Sequence, residues 1–212
     1  MTGRDWLGAF SPLLLIPVCR LVEQVTAAEL GRWSWVPAML VFWAGIAALV
    51  KGLGGADAPR RWFRRPNMRS IWCWLSVGVG LLGLPGFFGH WRILLRPQVL
   101  IAWLVFAQVN PLFEESYWRG LLLDATRSWP LAVSVTYSAV LFAVSHPLIW
   151  GVQSAVLRDW RVVPVLAVIG LVWAVSYRRT GSLWCSFVGH ACANLCGMSV
   201  PLLLNLYSPM GQ

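Results

Sequence analysis

The stretch VLIAWLVFAQVNPLFEESYWRGLLL, residues 99–123, decides the fold. It is apolar over a length sufficient to cross the ~30 Å hydrocarbon core of a bilayer as a helix. It also carries two adjacent carboxylates, Glu114 and Glu115, with Arg119 four residues after the second. Ionisable groups inside a membrane segment cost roughly 2.5–3.5 kcal/mol or more each unless paired, so they are functional candidates by default.

Outward from this stretch, comparable apolar segments recur along the chain. Their expected spans are Trp6–Cys19, which is short and weak, Trp33–Val50, Ile71–His90, Val99–Leu123, Pro130–Ile149, Val162–Tyr177 and Leu183–Leu206. With 58% hydrophobic and 12% charged residues in 212, and a mean hydropathy of +0.65, the chain lacks the polar surface of a soluble domain. Lipid offers no partner to an unpaired backbone amide, and no segment alternates as a barrel strand would. The expected architecture is therefore all-α: a polytopic membrane helix bundle of about seven transmembrane helices, with the catalytic core in the last four. It reads as a single membrane domain in which residues 1–96 supply scaffold helices, lipid contacts and a basic loop, and residues 97–206 supply the chemistry.

The net charge of +9 rests on 17 basic residues, of which only Lys51 is lysine. They lie in the connections rather than on a nucleic-acid-binding face, and no nucleic-acid partner is expected. Arg4, Lys51, Arg60, Arg61, Arg64, Arg65, Arg69, Arg119, Arg127, Arg178 and Arg179 fall on one side of the seven-span arrangement. Arg20, Arg32, Arg92, Arg96, Arg158 and Arg161 fall on the other. The positive-inside rule puts the first group, with the amino terminus, in the cytoplasm and the carboxy terminus outside. Lys51–Ser70, with Gly52, Gly54, Gly55, Pro59 and Pro66, reads as a loop whose arginines lie at lipid headgroups. Trp33, Trp35, Trp72, Trp91, Trp129, Trp150, Trp160, Trp173 and Tyr177 sit near segment ends, as interfacial belts do. The five cysteines, Cys19, Cys73, Cys185, Cys192 and Cys196, are odd in number and show no CxxC, so they read as small buried hydrophobes with no disulfide framework. The first segment lacks a convincing cleavage site and reads as a membrane anchor.

Polar groups that are expensive to bury appear from Glu114 onward. On a helix Glu115 and Arg119 share a face, whereas Glu114 is rotated by about 100°. One carboxylate can be neutralised while the other stays free for general-base work. His146 follows Phe142 by four residues, which places the ring beside the imidazole, and precedes Pro147, which ends or kinks a helix. His190 and Asn194 are again four apart and project from one face, supplying donors of the kind an oxyanion needs. Cys192 and Cys196 point the opposite way, which weakens a Cys/His zinc site. Gly181, Ser182 and Gly189 suit helix starts and close packing. In straight helices Glu114, His146 and His190 would differ in depth by on the order of 10 Å, which tilt or a break at Pro111 or Pro147 would absorb.

Taken in order, Glu-Glu-Ser-Tyr-Trp-Arg at 114–119, Phe-x-x-x-His at 142–146 and His-x-x-x-Asn at 190–194 resemble the CPBP family. These are the CAAX-processing and bacteriocin-processing intramembrane proteases of the Rce1 type. The string Gly-Ser-Leu-Trp at 181–184 is similar to that family's approach to its third motif. The resemblance implies an intramembrane endopeptidase acting on a membrane-associated or lipidated protein or peptide. In it Glu114 and His146 activate water, His190 and Asn194 stabilise the oxyanion, and Glu115, Arg119 and Phe142 support them. It implies no cofactor. The less favoured metal-dependent version would hold zinc on Glu114, His146 and His190.

Other classes fit less well. There is no HExxH, the aspartates Asp5, Asp57, Asp124 and Asp159 lie at segment ends or in loops, and Gly197-Met198-Ser199 lacks the glycine that follows a rhomboid serine. The alternative from another class is a non-enzymatic membrane protein, an immunity factor or a proton-coupled transporter using the same polar residues. The Arg-rich, Lys-poor usage fits a GC-rich bacterium and hence its inner membrane. An alkaline-phosphatase fusion at Arg65 is expected to be inactive, and activity there would reverse the assigned orientation.

Overall fold

The computed structural model describes residues 1–208, and among these the regular structure is helical throughout. A short helix, Gly3–Phe10, leads into α1, Pro12–Leu30. There follow α2, Trp35–Leu49, and α3, Ile71–Gly80. The back half is built from α4, Pro97–Glu115, α5, Leu131–Leu148, α6, Val162–Thr180, and α7, Trp184–Cys196. Five helical stretches are long and apolar enough to cross a membrane: Gly3–Trp33, Trp35–Gly54, Ile71–Leu95, Leu131–Val152 and Val162–Thr180. Large apolar side chains such as Leu14, Val25, Leu82, Ile101 and Val168 cover the outside of the bundle. This is the surface expected where lipid, not water, is the solvent, and the chain is an integral membrane protein.

Hydrogen bonds between distant segments sort the helix ends into two layers. At one end Arg4 donates to the carbonyl of Gly52, Trp62 Nε1 donates to Asp124, and Arg64 Nε donates to the carbonyl of Gly181. At the other, Arg20 donates to the carbonyl of Leu148, and Asn205 Nδ2 to the carbonyl of Gln153. The amino terminus and the last helical turn therefore lie at opposite ends of the bundle.

Several expectations change. The first helical stretch does not stop at Cys19 but reaches Trp33, burying Glu23 completely, so the front half does contain an acidic residue in a helix core. Part of Lys51–Ser70 is helical, since a wider turn, Val50–Gly54, extends α2, and Ala58–Trp62 forms a short helix. Trp35, Trp150 and Trp173 are core residues rather than members of an interfacial belt. Cys73 of α3 and Cys185 of α7 form a disulfide across 112 residues of sequence, while Cys19, Cys192 and Cys196 are free. Sequence spacing cannot reveal a pairing made only when two helices from opposite halves of the chain meet.

That meeting depends on glycine. A Cβ on Gly80 would run into the carbonyl of Gly189, and one on Gly189 into the carbonyl of Ser76, so α3 and α7 approach with backbone against backbone. The scaffold half is thus wedged against the helix bearing His190. Gly80→Ala is expected to destabilise the protein by at least about 1–3 kcal/mol through overpacking. Gly78→Ala, which meets nothing within 4 Å, is expected to leave stability unchanged or slightly raised, as thermal melts in detergent would measure.

Candidate active site

Four helices of the back half converge on one cavity of about 320 Å³, and three of them bring polar side chains. From α4 come Asn110 and Glu114, from α5 His146, and from α7 His190 and Asn194; Trp173 of α6 forms part of the wall. Apart from Ser199, the rest of the lining is apolar, including Phe106, Phe142, Trp150 and Ile169. The front half also contributes Val79, Gly80, Leu82 and Gly83, so it is part of the chamber wall and not only scaffold.

The two glutamates end α4, where the helix widens into a π-type turn, Ser116–Leu121, of the sort often found at functional sites. Glu115 and Arg119 are wholly buried and paired at 3.1 Å, as their spacing predicts. The same Glu115 oxygen also meets His190 Nδ1 at 2.9 Å. Arg119 reaches the carbonyl of Gly170, and its guanidinium lies over the rings of Phe142, at 4.2 Å, and Trp173, at 5.2 Å. Cation–π contact and the ion pair together replace the water that this charge has lost.

Glu114 is held differently. Its Oε1 accepts from Asn110 Nδ2 at 3.1 Å, and Asn110 Oδ1 in turn accepts from Trp43 Nε1 of α2 at 3.0 Å. Its Oε2 is buried without a hydrogen-bond partner, 3.8 Å from His190 Nε2. The Asn194 side-chain nitrogen is likewise buried and unpartnered, while its backbone carbonyl accepts from Trp103 Nε1. His146 Nδ1 lies 2.8 Å from the carbonyl of Phe142, a partner that can only accept. The neutral imidazole therefore carries its proton on Nδ1 and keeps a lone pair on Nε2. Phe142 packs edge-on against both histidines, and Trp173 stacks on His190 at 4.6 Å.

All the residues singled out from the sequence, Glu114, Glu115, Arg119, Phe142, His146, His190 and Asn194, meet at or beside this cavity. Of the two expected proline breaks, that at Pro111 does not occur, since α4 runs unbroken through it, whereas α5 ends one residue beyond Pro147. The sequence reading missed Asn110, Trp43 and Trp173. Asn110 could have been found, since an amide one turn before Glu114 in an apolar run shares its face. Trp43 and Trp173 gave no local signal. Among the described residues no three His, Cys, Asp or Glu side chains are grouped so as to hold a metal ion, and both nitrogens of His190 face carboxylates.

Residues 96–196 match the family model described as Type II CAAX prenyl endopeptidase Rce1-like. This half of the chain belongs to the CAAX-protease family. The match opens one residue before α4 and closes with the last residue of α7, so it encloses Asn110, Glu114, His146, His190 and Asn194, though not Ser199, which also lines the cavity. Members of this CAAX-protease family are intramembrane peptidases, and so is this protein. No curated protein and no solved structure matches the chain.

Because Arg119 is wholly buried, removing its carboxylate leaves an uncompensated charge. Glu115→Gln is expected to cost roughly 3–5 kcal/mol and to lower the yield of folded protein, as measured by melting temperature in detergent.

Proposed function

We propose that the protein hydrolyses a peptide bond of a membrane-associated protein or peptide by a water that Glu114 and His146 activate. The observation that carries this reading is the grouping, in one apolar chamber, of an unpartnered carboxylate oxygen, an imidazole lone pair and an unpartnered amide nitrogen. Glu114 Oε2 takes a proton as the water oxygen attacks the scissile carbonyl carbon, and His146 Nε2 orients that water. The oxyanion that forms receives the N–H of Asn194 and, with Nδ1 held by Glu115, that of a doubly protonated His190 at Nε2. A doubly protonated His190 also balances the site, because two carboxylates then face one guanidinium and one imidazolium. Collapse of the intermediate breaks the C–N bond, and the proton held by Glu114 passes to the leaving amine. No cofactor enters this scheme. Exclusion of bulk water by Phe106, Phe142, Trp150 and Trp173 strengthens each of these electrostatic contacts.

The same apolar lining favours a substrate that brings an apolar or lipidated segment to the chamber. Seven crossings, with the arginine-rich end in the cytoplasm and the site inside a bacterial inner membrane, complete the reading; the uneven distribution of arginine supports it.

Single-turnover cleavage of a membrane-anchored peptide in liposomes, normalised to folded protein, tests the assignment. Glu114→Gln is expected to abolish turnover with little loss of fold, His146→Ala to behave similarly, and Asn194→Ala to slow the reaction by about 10²–10³-fold. Near wild-type cleavage by Glu114→Gln would overturn the role given to it.

A further inference from the structure

A second cavity, of about 380 Å³, opens at the end of the bundle where the amino terminus lies, away from the peptidase chamber. Its walls bring together Arg61, Arg64, Arg127 and Arg178, with Asp124 and Tyr177. Four guanidinium groups thus face one carboxylate, and that carboxylate is already engaged. Asp124 accepts from Trp62 Nε1 and from the Tyr177 hydroxyl, each at 2.9 Å, and stands 3.6 Å from Arg61. Arg64 donates to the carbonyls of Gly181 and Thr180, and Arg178 to that of Leu123; these bonds fix the side chains without cancelling their charge. Arg127 pairs with no carboxylate among the described residues.

The segment that presents Arg61 and Arg64 is itself fastened down. Leu183 N donates to the carbonyl of Trp62, and Ser182 Oγ to that of Arg64. On the other flank of the same segment lies an apolar groove, lined by Phe63, Met68, Trp74, Val77, Trp184 and Val188, of about 500 Å³. A single stretch, residues 63–65, therefore divides a strongly cationic pocket from an open apolar groove.

We infer that this pair of cavities binds one anionic phospholipid, its phosphate among the four arginines and an acyl chain along the groove. Guanidinium forks match phosphate oxygens in pairs, which suits a phosphate better than a point cation would. The excess of three positive charges asks for an anion, and the neighbouring groove distinguishes a lipid from a free phosphate ion. Basic pockets between helix ends at the headgroup layer are a recurrent way of holding acidic lipids.

The test uses the full chain in a neutral detergent and reads the melting temperature, so its result does not depend on the peptidase assignment. Phosphatidylglycerol is expected to raise the melting temperature saturably, and less so at high salt. Phosphatidylcholine with the same acyl chains is expected to have little effect, and inorganic phosphate to act only at far higher concentration. Arg61→Gln with Arg127→Gln should weaken the phosphatidylglycerol response by about tenfold or more. The charge-matched control, Arg60→Gln with Arg69→Gln, should not. Met68→Gln should weaken the response to lipid but not to inorganic phosphate. An equal response to phosphatidylcholine, or equal loss in the control pair, would overturn the site. Saturation by inorganic phosphate at the lipid's own concentration would overturn the lipid as its ligand.

Discussion

The interaction on which the rest depends is the buried charge cluster of Glu115, Arg119 and His190. In an apolar bundle each of these groups alone would be costly to bury, and together they are tolerable because one carboxylate oxygen stands 3.1 Å from Arg119 Nη1 and 2.9 Å from His190 Nδ1. The cluster ties the end of α4 to α7, and the rings of Phe142 and Trp173 bring α5 and α6 over the guanidinium. Four helices are thereby held in register by a single charged knot. Its second consequence is chemical: Glu115 turns to Arg119 and His190, and it is Glu114 that lines the chamber with its Oε2 unpartnered.

The front half of the chain serves that chamber more closely than a lipid-facing scaffold would. A relay from Trp43 through Asn110 fixes the orientation of Glu114 from α2. The glycine contact between α3 and α7 lets Val79 to Gly83 form a wall, and Trp173 Nε1 donates to the carbonyl of Ser76 across the same seam. Small residues at such a seam are the general solution for helices that pack in lipid, where burying apolar surface provides no drive. The positive groups at the arginine-rich end follow a different logic. Arg64 and Arg178 are held by backbone carbonyls, and Arg61 stands beside Asp124.

Much of this was legible in the amino-acid sequence, because lipid imposes strict rules on a local scale. Long apolar segments, arginine in the connections, and Glu115–Arg119, Phe142–His146 and His190–Asn194 at four-residue spacing each follow from helical geometry within one element. They point to a membrane helix bundle, resemble the motifs of the CAAX-processing family, and name Glu114, His146, His190 and Asn194 of its chamber, though not Asn110. What the tertiary structure alone decided lies between elements. It includes the choice of Glu115, rather than Asn194, as the direct partner of His190, the support of Glu114 by Trp43 through Asn110, the burial of Glu23, the Cys73–Cys185 link and the stacking of Trp173 on His190. A residue's neighbours along one helix are set by its 3.6-residue period, but its neighbours on another helix depend on how closely and at what angle the two backbones meet. That is settled by glycine contacts and buried charge acting over the whole bundle, and no spacing within a single segment encodes it.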